Sequence, residues 1–299
     1  MNYGLPYMGS KSRIAAQVAA VFPKAKHFYD LFAGGCSVTH YLLRGHKFQC
    51  YHLNDISDTP RLFMDAVSGK YRDERRWIDR RTFFAEKDAD PYVRMVWSFG
   101  NEGRCYIYGT EVEPWKKALH HARVLGDVSL LREFGIESDG SIEDVKQHHD
   151  EYKEKYRRWY IREKVKSSED YDRLKNLQRL DSLQRLERLQ SLERLEITTG
   201  DYQDVKIEED SVIYCDIPYR GTKGYGKVAF DHERFYDWAC SQSAPVYISE
   251  YQMPEDRFEC VREIEHVSIL SAIASNKVTE RIFIPREQEA RPPRQLSLF

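Results

Sequence analysis

A chain of 299 residues with 41% hydrophobic and 31% charged residues can bury one good-sized core plus an insertion, and its net charge of −2 decides nothing about nucleic acid, since binding faces depend on where charges cluster. No apolar run approaches the roughly 20 residues of a membrane span, and "MNYGLPYMGSKSR" lacks the apolar core of a signal peptide. Six scattered cysteines without a C-x-x-C pair argue against a zinc site and a disulfide framework, so a cytoplasmic protein with no membrane contact and no metal is expected.

The first predicted elements make one βαβ unit. In "HFYDLFAGGCSVTHYLL" and "QCYHLNDIS", His27 to Leu31 read as a strand, Ala33 to Gly35 as a turn, Val38 to Leu43 as a helix and Gln49 to Leu53 as a second strand. Such a unit implies parallel strands. From about Arg72 to Lys166 charges become dense and aromatics are interleaved with them, as in "RDERRWIDRRTFF" and "YKEKYRRWYIREKVK". Helices with a basic-aromatic surface and merely solvated amphipathic helices are equally compatible with either segment alone. Leucine then recurs every third residue from Leu174 to Leu195. A three-residue period slips about 60° per repeat around an α-helix, so this is a spacer, helical at best, and no heptad coiled coil. Strand-like "LEITTGDYQDV", "DSVIYCDIPY", "PVYISEY" and "ERIFIP" follow, with helical "DHERFYDWACSQ" between the second and third. The proline- and charge-rich "REQEARPPRQLSLF" reads as a flexible tail.

Ligands of open parallel sheets sit beyond the carboxyl ends of the strands, and three motifs fall there: "DLFAGG", "LND" and "DIPY". Gly34 and Gly35 suit a cofactor loop or a tight connection. Asp55 suits a grip on two ribose hydroxyls or a cap on the next helix. The turn from Asp216 to Tyr219 carries more specific chemistry. The lone pair of an exocyclic base amine is delocalised into the ring, and two acceptors aimed at its hydrogens localise it as attack proceeds. Asp216 supplies a carboxylate and Ile217 a backbone carbonyl. Pro218 stiffens the turn, and Tyr219 offers a face on which an extruded base can stack.

"YMGSK", "DLFAGG", "LNDIS" and "VIYCDIPY", in that order and at those separations, resemble the DNA adenine N6-methyltransferases of the Dam-like group. The resemblance implies an α/β fold: a Rossmann-like methyltransferase sheet that binds S-adenosylmethionine, with an inserted, mainly helical target-recognition domain. The expected boundaries are a split catalytic domain over 1–68 and 196–285, the helical insertion over 69–170, the leucine-repeat spacer over 171–195 and the tail over 286–299. Matched residue by residue, Tyr7, Lys11, Asp30, Phe32, Gly34, Asp55, Asp201 and Asp216 would border the cofactor, and Asp216, Ile217, Pro218 and Tyr219 would form the catalytic motif. Ile217 departs from the family's usual D-P-P-Y; its carbonyl still serves, at a loss of rigidity.

Double-stranded DNA is the implied substrate, methylated at N6 of a flipped adenine by direct displacement. A catalytically degenerate DNA-binding homologue and an amine methyltransferase acting on RNA or cytosine N4 are the alternatives. A restriction-modification setting is compatible with either outcome. Once the family is granted, Lys153, Arg157, Arg158, Trp159 and Arg162 become candidates for phosphate contact and stacking. The terminal "QLSLF" resembles the peptide that docks bacterial proteins on the sliding clamp, with Gln295, Leu296, Leu298 and Phe299 as the anchors on a polar tether. A monomer from a bacterium or phage, associated with the nucleoid, is expected.

Overall fold

Three strands of the sheet end in aspartate, at Asp30, Asp55 and Asp216, and the fold sets those ends on neighbouring strands. The computed structural model describes residues 3–5, 9–99, 103–137, 192–220, 230–268 and 276–289. Tyr7, the repeat from Leu174 to Leu189, the Lys153 to Arg162 cluster and the Gln295 to Phe299 anchors lie outside them. The chain divides into two compact units, residues 1–69 with 186–299, and residues 70–185.

The first unit begins with helix α1 (Ala15–Ala19), strand β1 (His27–Asp30), helix α2 (Ser37–Arg44), strand β2 (Cys50–Asp55) and helix α3 (Thr59–Val67). In α2, Val38, Leu42 and Leu43 are buried, the stripe that a 3.6-residue period presents to a core. The second unit then contributes α4 (Arg80–Glu86), α5 (Pro91–Val96) and α6 (Glu113–His120), followed by a π-helical turn at His121–Leu125 and a 3-10 turn at Ser129–Phe134. Asp79 and Asp90 cap α4 and α5 by accepting backbone N–H bonds from Thr82 and from Tyr92 and Val93. Trp115, Ala118, Leu119, Ala122, Leu131 and Ile136 form a core of this unit.

The charged, aromatic segment "RDERRWIDRRTFF" buries Ile78 and Phe83 and leaves most of its charges at the surface. Arg76 pairs with Glu74 and Asp90, and Arg80 with Glu113. Trp77 stacks parallel to Tyr108 at 5.8 Å and meets Trp97 edge-on at 5.1 Å. The partners of Arg76 and Arg80 lie up to 33 residues away in sequence, while Arg72, Asp73, Arg75, Asp79 and Arg81 are exposed.

The chain returns to the first unit through β3 (Leu195–Thr199), β4 (Ser211–Asp216), α7 (His232–Ser241), β5 (Val246–Glu250), β6 (Phe258–Ser268), β7 (Asn276–Pro285) and a short helix, α8 (Arg286–Glu289), so the tail expected to be flexible from 286 is ordered over its first four residues, where Gln288 accepts from Val246 N. Leu195, the last leucine of the three-residue repeat, is a buried residue of β3. The seven strands form one sheet in the order β3-β2-β1-β4-β5-β7-β6. Strands β1 to β5 pair in parallel, and β7 runs antiparallel to both β5 and β6. The strand order reverses between β1 and β4, which makes a Rossmann-like switch point.

The central strands are apolar on both faces, as a covered parallel sheet requires. Phe28 and Tyr29 of β1 and Val212 to Cys215 of β4 are all buried. Ile213 and Cys215 share a core with Phe235, Tyr236, Ile248 and Phe283. Strand β6 was not anticipated. Its sequence "FECVREIEHVS" carries Glu259, Arg262, Glu263 and Glu265 because β6 is the outer strand of the sheet, where one edge and much of its surface meet water.

Candidate active site

The crevice at the switch point is lined first by the glycine loop after β1. Gly34 N donates to Asp55 Oδ2 at 2.9 Å, while Asp55 Oδ1 accepts from the backbone N–H (2.9 Å) and hydroxyl (2.7 Å) of Ser57. Asp55 thus ties the loop after β1 to the turn after β2. It does not cap α3, whose N-cap position is Asp58. Between the two, Asn54 donates to the carbonyls of Leu31 (3.3 Å) and Gly200 (3.1 Å) and accepts from the Thr198 hydroxyl (2.8 Å), stitching the ends of β1, β2 and β3 together. Ile56, directly after Asp55, is 80% exposed, an apolar side chain beside the polar loop that the sequence reading passed over.

The N-terminal segment closes over this loop. Leu5 N donates to Gly35 O at 2.7 Å, and Gly4 N to His40 Nδ1 at 2.9 Å. A Cβ at Gly4 would lie 2.3 Å from Gly35 O, and its φ of +72° is left-handed, so both the approach and the backbone call for glycine. His40 is buried, and that burial lowers its pKa to about 4, which keeps Nδ1 free to accept at neutral pH.

Asp30 ends β1 and is 2% exposed. Its Oδ2 accepts from the Thr39 hydroxyl at 2.7 Å, whereas Oδ1 has no partner among the described residues. Burial pushes its pKa up to about 7, against the Thr39 hydrogen bond and with help from the neighbouring Asp216 and Asp55 charges. A carboxyl that holds its proton more tightly folded than unfolded contributes stability that is complete below its unfolded value of about 4 and is lost as the pH rises to about 7. Glu250, at the end of β5, is also buried and raised to about 7 by burial, so it acts with the same sign. The thermal midpoint is therefore expected to fall as the pH is raised from about 5 to about 8, and Asp30→Asn to make that slope shallower. An unchanged slope in a calorimetric pH series of the variant would contradict the assignment to Asp30.

Asp216 ends β4, and Lys11 Nζ meets both its oxygens, at 2.7 and 2.8 Å. The two side chains are 9% and 22% exposed. Burial works against the charge of Lys11, but the Asp216 and Glu280 carboxylates outweigh it and hold its pKa above the ordinary value. The Lys11 ammonium also lies 4.9 Å from the centre of the Tyr219 ring. Tyr219 is within hydrogen-bonding distance of Asp216 Oδ1 (3.2 Å) and of Glu280, and its ring meets Tyr251 edge-on at 4.5 Å. Ile217 is 2% exposed, its side chain sunk in the core under β4. No hydrogen bond among the described residues ends on its carbonyl.

The structure thus gathers Lys11, Asp30, Gly34, Asp55 and Asp216 to Tyr219 at the carboxyl ends of neighbouring strands. Phe32 lies just after β1, packed against Tyr202, Phe230 and Phe235. Asp201 caps the turn after β3 and pairs with Arg234 at 3.0 Å. Sequence reasoning assigned Lys11 to the rim of a cofactor pocket; its ammonium sits on the Asp216 carboxylate. Glu250 and Glu280 were not singled out at all. The sequence offers no signal for Glu280, which stands beside Arg281 at the head of the apolar run Ile282 to Pro285.

Residues 7–95 match the family model of the D12 class N6 adenine-specific DNA methyltransferases. This supports the Dam-like adenine methyltransferase family, and the matched span holds Lys11, Asp30, Phe32, Gly34 and Asp55. The Asp216 turn lies beyond it and stands on its own geometry. No curated protein sequence matches the chain. Among solved structures, the rRNA methyltransferase aviRa from Streptomyces viridochromogenes superposes with a TM-score of 0.36 at 12% identity, over 94% of this chain and 87% of that one. The Rossmann-like assignment rests on the strand order itself. No helix among the described residues is long and apolar enough to cross a membrane.

Proposed function

We propose that the protein is an S-adenosylmethionine-dependent methyltransferase that acts on N6 of an adenine extruded from double-stranded DNA. The observation that carries this reading is the Asp216–Tyr219 turn at the carboxyl end of β4, next to β1 and its glycine loop. The residues present fit such a cofactor. Asp30 Oδ1, a buried carboxylate oxygen with no partner among the described residues, suits an ammonium group, and Asp55 at the end of β2 suits a pair of ribose hydroxyls. Lys11, Phe32, Gly34 and Asp201 complete the proposed cofactor wall, with Tyr7 from the N-terminal motif. When bound, the cofactor supplies an electrophilic methyl group.

The chain's own part is to prepare the amine. Asp216 and the Ile217 carbonyl accept its two hydrogens, so the nitrogen lone pair is turned out of conjugation and towards the methyl group. For this, Lys11 gives up one of its two contacts with Asp216 and keeps the other, which holds the carboxylate charged and oriented. Tyr219, fixed at its hydroxyl, presents its ring to the base. Transfer by direct displacement needs no covalent intermediate with the enzyme.

The insertion over 69–170 is proposed to read the target, with Lys153, Arg157, Arg158, Trp159 and Arg162 meeting the phosphates and bases, so that binding weakens steeply with salt. Gln295, Leu296, Leu298 and Phe299 are proposed to dock on a sliding clamp, which would place a cytoplasmic, monomeric enzyme beside newly copied DNA. The substrate class is tested by offering duplex DNA, single-stranded DNA and RNA with a labelled methyl donor. Label entering duplex DNA at least about tenfold faster than RNA is the expected result; a preference for RNA would transfer the reading to RNA amine methylation.

A further inference from the structure

The turn that carries the proposed chemistry has an intrinsic weakness. Pro218 has a ring-locked φ, but Ile217, whose carbonyl must be aimed, has none. Three side chains from three different elements close on the turn from outside. His232 Nε2, on the first turn of α7, lies 2.9 Å from the Pro218 carbonyl, which can only accept, so the ring donates. Glu250 Oε2, at the end of β5, accepts the backbone N–H of Arg220 at 3.0 Å, while its Oε1 accepts that of Tyr251 at 2.7 Å. Glu280, on β7, meets the Tyr219 hydroxyl. Glu250 is 1% and Glu280 2% exposed. The three contacts fall on three successive residues, 218, 219 and 220, immediately after the carbonyl at issue.

We propose that His232, Glu250 and Glu280 are positioning residues that fix the Asp216–Tyr219 turn, supplying from outside the restraint that a residue with free φ lacks. The inference rests on the methyltransferase reading for its kinetic consequence, and on geometry alone for its structural one. Burying a carboxyl is costly unless hydrogen bonds repay it, and two buried carboxyls on neighbouring strands both spend hydrogen-bonding capacity on this one turn. Aim matters more than strength here, because a displacement of about 1 Å at an acceptor can cost on the order of a hundredfold in rate.

The test pairs a disruptive with a conservative change at each position in the full-length protein: His232→Leu against His232→Gln, Glu250→Leu against Glu250→Gln, Glu280→Leu against Glu280→Gln. Glutamine at 232 can donate to the Pro218 carbonyl and at 280 can meet the Tyr219 hydroxyl; at 250 its one oxygen can accept from Arg220 N or from Tyr251 N but not both, so recovery there is expected to be partial. Two readouts are taken. Amide hydrogen exchange of the 217–220 segment should quicken by about tenfold or more in the leucine variants, with β1 and β2 unchanged, and recover towards wild type in the glutamine variants. In methyl transfer, kcat should fall by about tenfold to a hundredfold in the leucine variants, with the KM for DNA and the affinity for S-adenosylmethionine within about twofold of wild type, and be largely restored by glutamine.

Turn amides that exchange no faster in the leucine variants would overturn the proposal, as would a kcat unmoved in an active enzyme. If a leucine variant fails to fold, its glutamine partner decides: wild-type exchange at the turn supports the proposal, and fast exchange despite the retained partner counts against it. If the wild type methylates no nucleic acid, the functional reading fails on that ground, and hydrogen exchange alone decides the positioning claim.

Discussion

Asp216→Asn is expected to lower kcat for methyl transfer by at least about a hundredfold to a thousandfold, the range seen when one preplaced electrostatic group is removed from a site of developing charge. Asparagine keeps the shape of the side chain and one acceptor oxygen. It loses the charge that draws on the amine hydrogens, and its NH₂ faces Lys11, a donor towards a donor. The affinity for S-adenosylmethionine should change far less, since the two carboxylates proposed to grip the cofactor, Asp30 and Asp55, are anchored by Thr39, Gly34 and Ser57, and only Lys11 of the proposed wall rests on Asp216. A variant that binds cofactor and DNA but is slow at saturation separates transition-state stabilisation from binding. Loss of affinity with kcat retained would show that Asp216 only shapes the pocket.

The second large effect concerns stability. Lys11→Met removes the cation that faces both oxygens of Asp216 and leaves a largely buried carboxylate next to Glu280. Breaking one side of such a pair costs on the order of 3 kcal/mol, less whatever solvent recovers for the 22% exposed Asp216 side chain. For a chain of this size that is a fall of about 5 °C at most in the thermal midpoint. The double variant Lys11→Met/Asp216→Asn removes both charges and should melt above Lys11→Met alone, because the penalty of the single variant is mostly the orphaned charge. Strictly additive losses, measured by calorimetry at neutral pH, would mean that the pair is not coupled as the 2.7 and 2.8 Å contacts require.

The fold was legible where local pattern and burial agree. "SVIYCD" is buried along all but its last residue and a continuous apolar β-prone run announces it, while "HFYD", buried after His27, is announced by β-prone residues that alternate apolar and polar. The helix "DHERFYDWACSQ" begins with a capping aspartate that does cap, accepting from Arg234 N. Strand β6 escaped notice because an outer strand owes its place to its partner's hydrogen bonds, and neither of its faces needs an apolar run. For the segment "RDERRWIDRRTFF" the sequence left two readings open, because Arg76 finds one partner inside it, Glu74, while Asp90 and Glu113, which meet Arg76 and Arg80, are remote from it in sequence.

Of the site, the groups at strand ends could be picked out because the rule that ligands gather there needs only strand boundaries. The pairing of Lys11 with Asp216 spans 205 residues and is decided by the topology that brings the N-terminal segment over β4. The contacts of Glu250 and Glu280 with the turn belong to the same class: each residue looks ordinary in its own stretch, and the order β4-β5-β7 makes them neighbours of the turn, while His232 reaches it from the helix that follows, 14 residues on. Ile217 illustrates the limit of motif reasoning. Its sequence position suggested a loss of stiffness; its side chain is buried in the core under β4, while the backbone beyond it is met by His232, Glu250 and Glu280.

The most direct test of the central claim is to incubate the wild-type protein with unmethylated duplex DNA and S-adenosylmethionine bearing a trideuterated methyl group, digest the product to nucleosides and identify the labelled one by mass spectrometry. The account predicts the deuterated methyl on N6 of deoxyadenosine. Label on N4 of deoxycytidine, or DNA that is bound yet carries no label at all, would contradict it.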